Sequence, residues 1–175
     1  MANESVLSWD SKPERAAWSA QLLASISASK ATLDRGHPKG VALGYSALPS
    51  PLQTKWWAEL LVEMARFESS WKPHEIYHEP PPLGVDSVGL LQLSYEDEPI
   101  YRLEKLDRAA KSLEDPLVNL RCAVAILAAL VCKDGVVASS NGAKHKGGAR
   151  YWSVLRTGHH IDEILSHANK AVGLG

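Results

Sequence analysis

The sequence predicts a mainly α-helical fold in one compact domain, on three observations. Apolar residues recur at three- and four-residue spacings in several segments, helix-start signals precede the strongest of them, and no βαβ pattern, internal repeat or low-complexity tract occurs. A chain of 175 residues suits one domain and buries enough surface to hold a core without metal or disulfide. Within it, residues 1–49 read as a helix-and-loop extension packing on a core formed by residues 50–175.

The first helix is expected to start near Pro13, a favoured first helical position, with Ala16, Trp18, Leu22, Leu23 and Ile26 on its core face, and to fade around Lys30. Residues 34–49 hold Gly36, Pro38, Gly40, Gly44 and Pro49 and read as loop. Ser50-Pro51-Leu52-Gln53 signals the next start, with Ser50 as cap and Gln53 closing a capping box. The stripe Leu52, Trp56, Trp57, Leu60, Leu61, Met64 and Phe67 is wide, as in a helix buried mid-domain, and Glu68 falls near its end. Prolines 73, 80, 81 and 82 with Gly84 keep residues 71–89 irregular. Residues 89–94 read as extended or turn-like, ahead of a short helix over 96–106. Asp115-Pro116 caps a helix carrying Leu117, Leu120, Val124, Leu127, Leu130 and Val131, ended by Asp134-Gly135. Residues 139–148 read as loop, 149–156 as a short helix and 161–171 as a last one, for five to seven helices in all.

Composition narrows the function classes. Nineteen Lys and Arg against twenty Asp and Glu, with no long basic run, offer no basis for nucleic-acid binding. No uninterrupted run of 18 apolar residues marks a membrane span. Residues 1–10 are acidic and polar where a secretory signal would be basic and then apolar. Cys122 and Cys132 lie ten positions apart in one expected helix, hence about 15 Å apart, too far for a mutual disulfide, and read as free thiols. Six Trp against one Phe is unusual; indoles serve cores and ligand grooves alike.

Read as bare chemistry, Glu68 follows Phe67 at the end of an apolar helix. Partial desolvation and the negative helix terminus both raise a carboxyl pKa there, keeping a proton for general-acid work. A solvated glutamate at a helix end is the plainer reading of the same position.

The run Glu68-Ser69-Ser70-Trp71-Lys72-Pro73, followed 21 residues after the glutamate by Gly89-Leu90-Leu91-Gln92-Leu93, resembles the lytic transglycosylase family (soluble lytic transglycosylase, goose-lysozyme-like). Asp115-Pro116-Leu117-Val118-Asn119-Leu120 is similar to the family's opening of a core helix. The resemblance spans residues 68–120. It implies a lysozyme-like helical domain over 50–175 that cleaves the MurNAc–GlcNAc β-1,4 bond of peptidoglycan. Carried over, Glu68 is the catalytic acid, Gln92 lines the sugar groove, Ser87 lies beside the substrate, and Gly89 lets the glycan approach. A structural turn or loop role remains open for Gln92 and Gly89. The family's Ala-Tyr-Asn-x-Gly phrase is absent, and Tyr151 is the nearest candidate for its tyrosine, with core packing as the alternative. The glycines ahead of the glutamine motif are altered to Val85-Asp86-Ser87-Val88.

Hydrolases of this bond type pair the acid with a second carboxylate. Asp86, Glu96, Asp97 and Glu98 are all within sequence reach and none is singled out. The family resembled needs none, since the sugar's N-acetyl group assists and its 6-hydroxyl attacks. The hydrolytic alternative is a muramidase, and the non-enzymatic one a silent peptidoglycan-binding domain. Exposed rings among Trp71, Tyr77, Tyr95 and Trp152 could stack on sugar faces. No metal or organic cofactor is implied. His74-Glu75-Ile76-Tyr77-His78 matches a zinc-peptidase motif, with Glu98 as third ligand, but flanking prolines leave too little helix to set its histidines one turn apart. Cys122 as a thiol nucleophile lacks a charged activator. The expected partner is a peptidoglycan strand, acted on in the periplasm or cell wall. With no signal peptide visible, the expected settings are a phage lysis enzyme, a secretion-delivered effector travelling with an immunity or inhibitor protein, or a protein whose leader is removed.

Overall fold

The computed structural model describes residues 6–175; the first half of the N-terminal stretch discussed above lies outside them. The described residues form five α-helices and two small hairpins: α1 Ala16–Leu33, α2 Ser50–Ser69, β1 Ile76–His78, β2 Asp86–Val88, α3 Asp97–Tyr101, α4 Pro116–Asp134, β3 Ala138–Asn141, β4 Lys144–Gly147 and α5 Ile161–Ala171. The chain is mainly α, as its periodicity predicts.

Helix α2 is the axis of the molecule. Residues 54–65 are buried on every side, including Trp56, Trp57, Leu60, Leu61 and Met64, while Leu52 and Phe67 are only partly covered. Its start differs from expectation. Pro49, not Ser50, is the N-cap, and no side-chain cap forms. The Gln53 amide donates instead to the Tyr45 carbonyl, because the preceding 310 turns fold back within its reach. Two buried carboxylates on α2, Glu59 and Glu63, meet His167 of α5 at 3.0 and 3.8 Å, so charge as well as apolar packing joins these helices.

Helix α4 begins as read: the Leu117 N–H donates to Asp115 Oδ1 at 2.8 Å, Pro116 occupies the first turn, and Gly135 closes the helix at φ 67°. Leu120, Val124, Leu127, Leu130 and Val131 are buried. By length and a mean hydropathy of 1.7 this helix could cross a membrane, but it is packed inside the protein, chiefly against α1. Cys122 and Cys132 are both free on it; burial pushes the Cys122 thiol up to about 12.

Among the described residues, the segment 6–49 packs into the same core as the rest of the chain. Trp9, Trp18, Leu22, Ile26 and Leu33 enter the same apolar cluster as α2 and α4. Helix α1 runs three residues beyond Lys30, and Ala16 faces solvent instead of the core. Residues 34–47 fold as three 310 turns, and 148–155 as two 310 turns in place of a short helix. The largest differences are the two antiparallel hairpins, β1–β2 with Tyr77 opposite Ser87 and β3–β4 with Ser140 opposite His145, where irregular chain was expected. Three- and four-residue strands are too short to show period-2 patterning. Helix α3 is likewise only five residues long.

Candidate active site

Glu68 is the penultimate residue of α2, and the helix end is pinned from several sides. Ser70 and Trp71 both adopt left-handed conformations, φ 54° and 59°, reversing the chain at once. The Trp71 indole N–H donates to the Val62 carbonyl at 2.8 Å. Ser69 Oγ donates to the carbonyls of Ala65 and, at 2.9 Å, Leu90. The second contact locks the glutamate's helix to the Gly89–Leu93 turn.

That turn is held in turn by the third motif. Asn119 of α4 accepts from Leu91 N–H at 3.0 Å and donates to the Val88 and Leu113 carbonyls. Gln92 sits at φ 51°, and its amide nitrogen donates to the carbonyls of Glu75 and Gly89 at 3.1 and 2.9 Å. Three separated pieces of sequence therefore converge through side-chain to backbone bonds. Their first product is a rigid frame.

Beside that frame lies a cleft of about 620 Å3, lined among others by Glu68, Glu79, Ser87, Gln92, Asp97, Tyr151 and Arg156. Burial raises the Glu68 carboxyl to about 7, the nearby Glu79 charge adds to the rise, and Arg156 opposes it. The desolvation argument made from sequence thus holds at this residue. Glu79 enters from the loop between β1 and β2, where Ser87 Oγ donates to its Oε1 at 2.9 Å.

Of the residues singled out from sequence, Glu68, Gln92, Ser87 and Tyr151 all line the cleft. Gly89 does not. A Cβ there would lie 2.4 Å from Asn119 Nδ2 and 2.5 Å from the Leu113 carbonyl oxygen, at φ +78°. Glycine is required here for the frame's packing and turn. Gln92 is 8% exposed with its amide nitrogen engaged by backbone, so what it can offer a ligand is its carbonyl oxygen. Tyr151 donates through its hydroxyl to Asp97 and accepts from Ser94 N–H at 3.3 Å; burial raises the Asp97 carboxyl, and the Tyr151 bond opposes the rise. Tyr77 is 55% exposed on the cleft wall, whereas Trp152 lies 2% exposed at its base and donates to the Leu91 carbonyl.

Glu79 was missed from sequence. Of the acids named from sequence, Asp97 lines the same cleft and is held by the Tyr151 hydroxyl, while Asp86 is engaged with His78, Glu96 with Arg108, and Glu98 with the Leu106 N–H. The signal that could have found it was an acid set directly before the Pro80-Pro81-Pro82 run. The zinc-motif segment is a turn and a strand, not a helix; His74 pairs with Glu114 and His78 with Asp86. No group of three or more metal-ligating side chains is gathered among the described residues.

No family model and no curated protein matches the chain. Among solved structures it is similar to wild-type Bd0314 DslA, at 33% identity and a TM-score of 0.83, covering 99% of this chain and 100% of that one. Two variants of that protein, each with one glutamate replaced by glutamine, match at 32% and 31% identity with TM-scores of 0.83 and 0.79 over the same shares. The two replaced glutamates stand eleven positions apart in DslA. With both chains matched end to end at this identity, the present chain belongs to the DslA family.

Proposed function

We propose that this chain cleaves the glycan strand of bacterial peptidoglycan at the MurNAc–GlcNAc β-1,4 bond, within a lysozyme-like domain, with Glu68 as its acid. The observation that carries the reading is a carboxyl raised to about 7 in a cleft of sugar-binding size, beside a second carboxylate. The lytic-transglycosylase-like motifs supply the substrate. In DslA the two substituted glutamates are eleven apart, and Glu68 and Glu79 share that interval.

Glu68 delivers its proton to the bridging oxygen as the bond from the sugar's anomeric carbon breaks. The carbon takes on positive charge, which an ionised Glu79 stabilises across the cleft. The resemblance implies that the sugar's own 6-hydroxyl then attacks that carbon, its proton passing to the Glu68 carboxylate left by the first step, giving an anhydro end. The presence of Glu79 favours the hydrolytic alternative: a water adds its hydroxyl to that carbon, its proton passes to Glu79, and a reducing end results. Tyr77 offers an exposed ring to a sugar face, and Gln92 Oε1 an acceptor to a hydroxyl or amide.

Digestion of purified peptidoglycan with mass analysis of the released ends tests all of this. Reducing ends support the muramidase, anhydro ends the transglycosylase, and no release from any wall sinks both in favour of a binding domain. Glu68→Gln (E68Q) should cut release by about a thousandfold while the fold survives; unchanged turnover would remove Glu68 from the mechanism.

A further inference from the structure

Beside the cleft, and sharing Glu75 with it as a wall, lies a second pocket of about 610 Å3 lined by Lys12, Arg15, Trp18, Trp71 and Lys72 among others. Arg15 is its unusual member. The residue is only 7% exposed, yet among the described residues no carboxylate lies within 4.0 Å of its guanidinium. One nitrogen donates to the Trp9 carbonyl at 3.2 Å, and among the described residues the buried Nε has no hydrogen-bond partner. The charge rests instead between two indoles, its central carbon 5.6 Å from the Trp18 ring and 5.0 Å from the Trp71 ring.

A buried cation without a counter-ion is costly, and two aromatic faces offset only part of that cost. Exposed Lys12 and Lys72 stand at the same pocket. Against them are Glu14 and Glu75, the latter 4.0 Å from Lys72, while His74 is turned to Glu114. Three permanent cations against two carboxylates, with the most buried cation unpaired, leave the pocket short of one negative charge.

We propose that this pocket is a second binding site, for a carboxylate, and that during glycan cleavage it holds a carboxylate of the peptide stem borne by the strand. The stem assignment rests on the function proposed above; the carboxylate site does not. A strand lying in the cleft projects its stems sideways, and the pocket across the Glu75 wall is where such a branch would lodge. Guanidinium and two ammonium groups suit the stem's carboxylates, and the Trp71 face suits its aliphatic segments.

The test titrates the full chain with stem peptide released from cell wall by amidase, following the indole N–H signals of Trp18 and Trp71 by NMR. Both signals should move, and a Lys12→Ala/Lys72→Ala variant, altered only at exposed positions, should bind about fivefold more weakly. The same peptide with its carboxylates amidated should not bind. Unmoved signals, or equal binding of the amidated peptide, would overturn the site. In turnover the double variant should show KM raised about fivefold on peptide-bearing strands with kcat kept, and no change on peptide-stripped strands. An equal effect on both substrates would overturn the stem assignment. Failure of the wild-type chain to cleave any wall would count against the glycan reading alone, since the titration needs no turnover.

Discussion

Ser87 Oγ donates a hydrogen bond to Glu79 Oε1 at 2.9 Å, across the base of the β1–β2 hairpin. The serine expected to touch substrate thus orients the carboxylate whose charge raises Glu68. Acid and counter-charge come from different elements, a helix end and a hairpin loop.

This pairing fixes a pH signature. In the proposed mechanism Glu68 works protonated, so activity should be present below its pKa of about 7 and lost as pH rises through it. Glu79→Gln removes a neighbouring negative charge, lowers the Glu68 pKa and should move the alkaline limb of kcat/KM to lower pH, with a lower maximum. Arg156→Gln removes an opposing positive charge and should move that limb to higher pH. Limbs that shift together, or stay still, would disconnect Glu68 from the observed titration.

His167 gives stability its own pH dependence. Its hydrogen bond to the 1%-exposed Glu59 raises its pKa above the ordinary 6.5; burial opposes the rise and the Glu63 charge supports it. A raised pKa in the folded state adds stability that is fully present below the unfolded value and lost as pH rises through the folded one. The wild-type Tm should therefore fall over that interval, and His167→Gln should flatten the fall. A wild-type Tm independent of pH between about 6 and 9 would contradict the pairing.

Gly89→Ala should destabilise the protein by about 2–4 kcal/mol, through overpacking against Asn119 and Leu113 together with backbone strain at φ +78°. Thermal melting reads this directly. A variant of unchanged Tm but raised KM would restore the glycan-approach role expected from the motif.

Tyr151→Phe removes a hydrogen bond to a buried carboxylate and should cost about 1–3 kcal/mol in denaturant unfolding. Since Tyr151 also lines the cleft, its variant is compared at temperatures where both forms are fully folded. A loss of turnover with no loss of stability would make the hydroxyl a substrate contact instead.

Much of the fold was legible because long periodic stretches declare themselves. Trp56, Trp57, Leu60, Leu61 and Met64 on α2, and Leu120 to Val131 on α4, bury as their spacing requires, and Asp115 caps as read. The failures are local and physical. Ser50 and Gln53 look like a capping box, but the Tyr45 carbonyl offers Gln53 another partner. The strands of both hairpins, three or four residues long, carry no readable alternation.

By itself the sequence determined the long helices α1, α2, α4 and α5 and that Glu68 falls near the end of a helix buried mid-domain, since helix periodicity is local in the chain. Only the tertiary structure decided what surrounds that glutamate. It placed Glu79 beside it, set Ser87 to orient that carboxylate, and packed Gly89 against Asn119 and Leu113. It also set Arg15 beside two indoles with no carboxylate among the described residues paired to it. Each of these depends on contacts between residues distant in the chain, and electrostatic and packing energies follow separation in space, not separation in sequence.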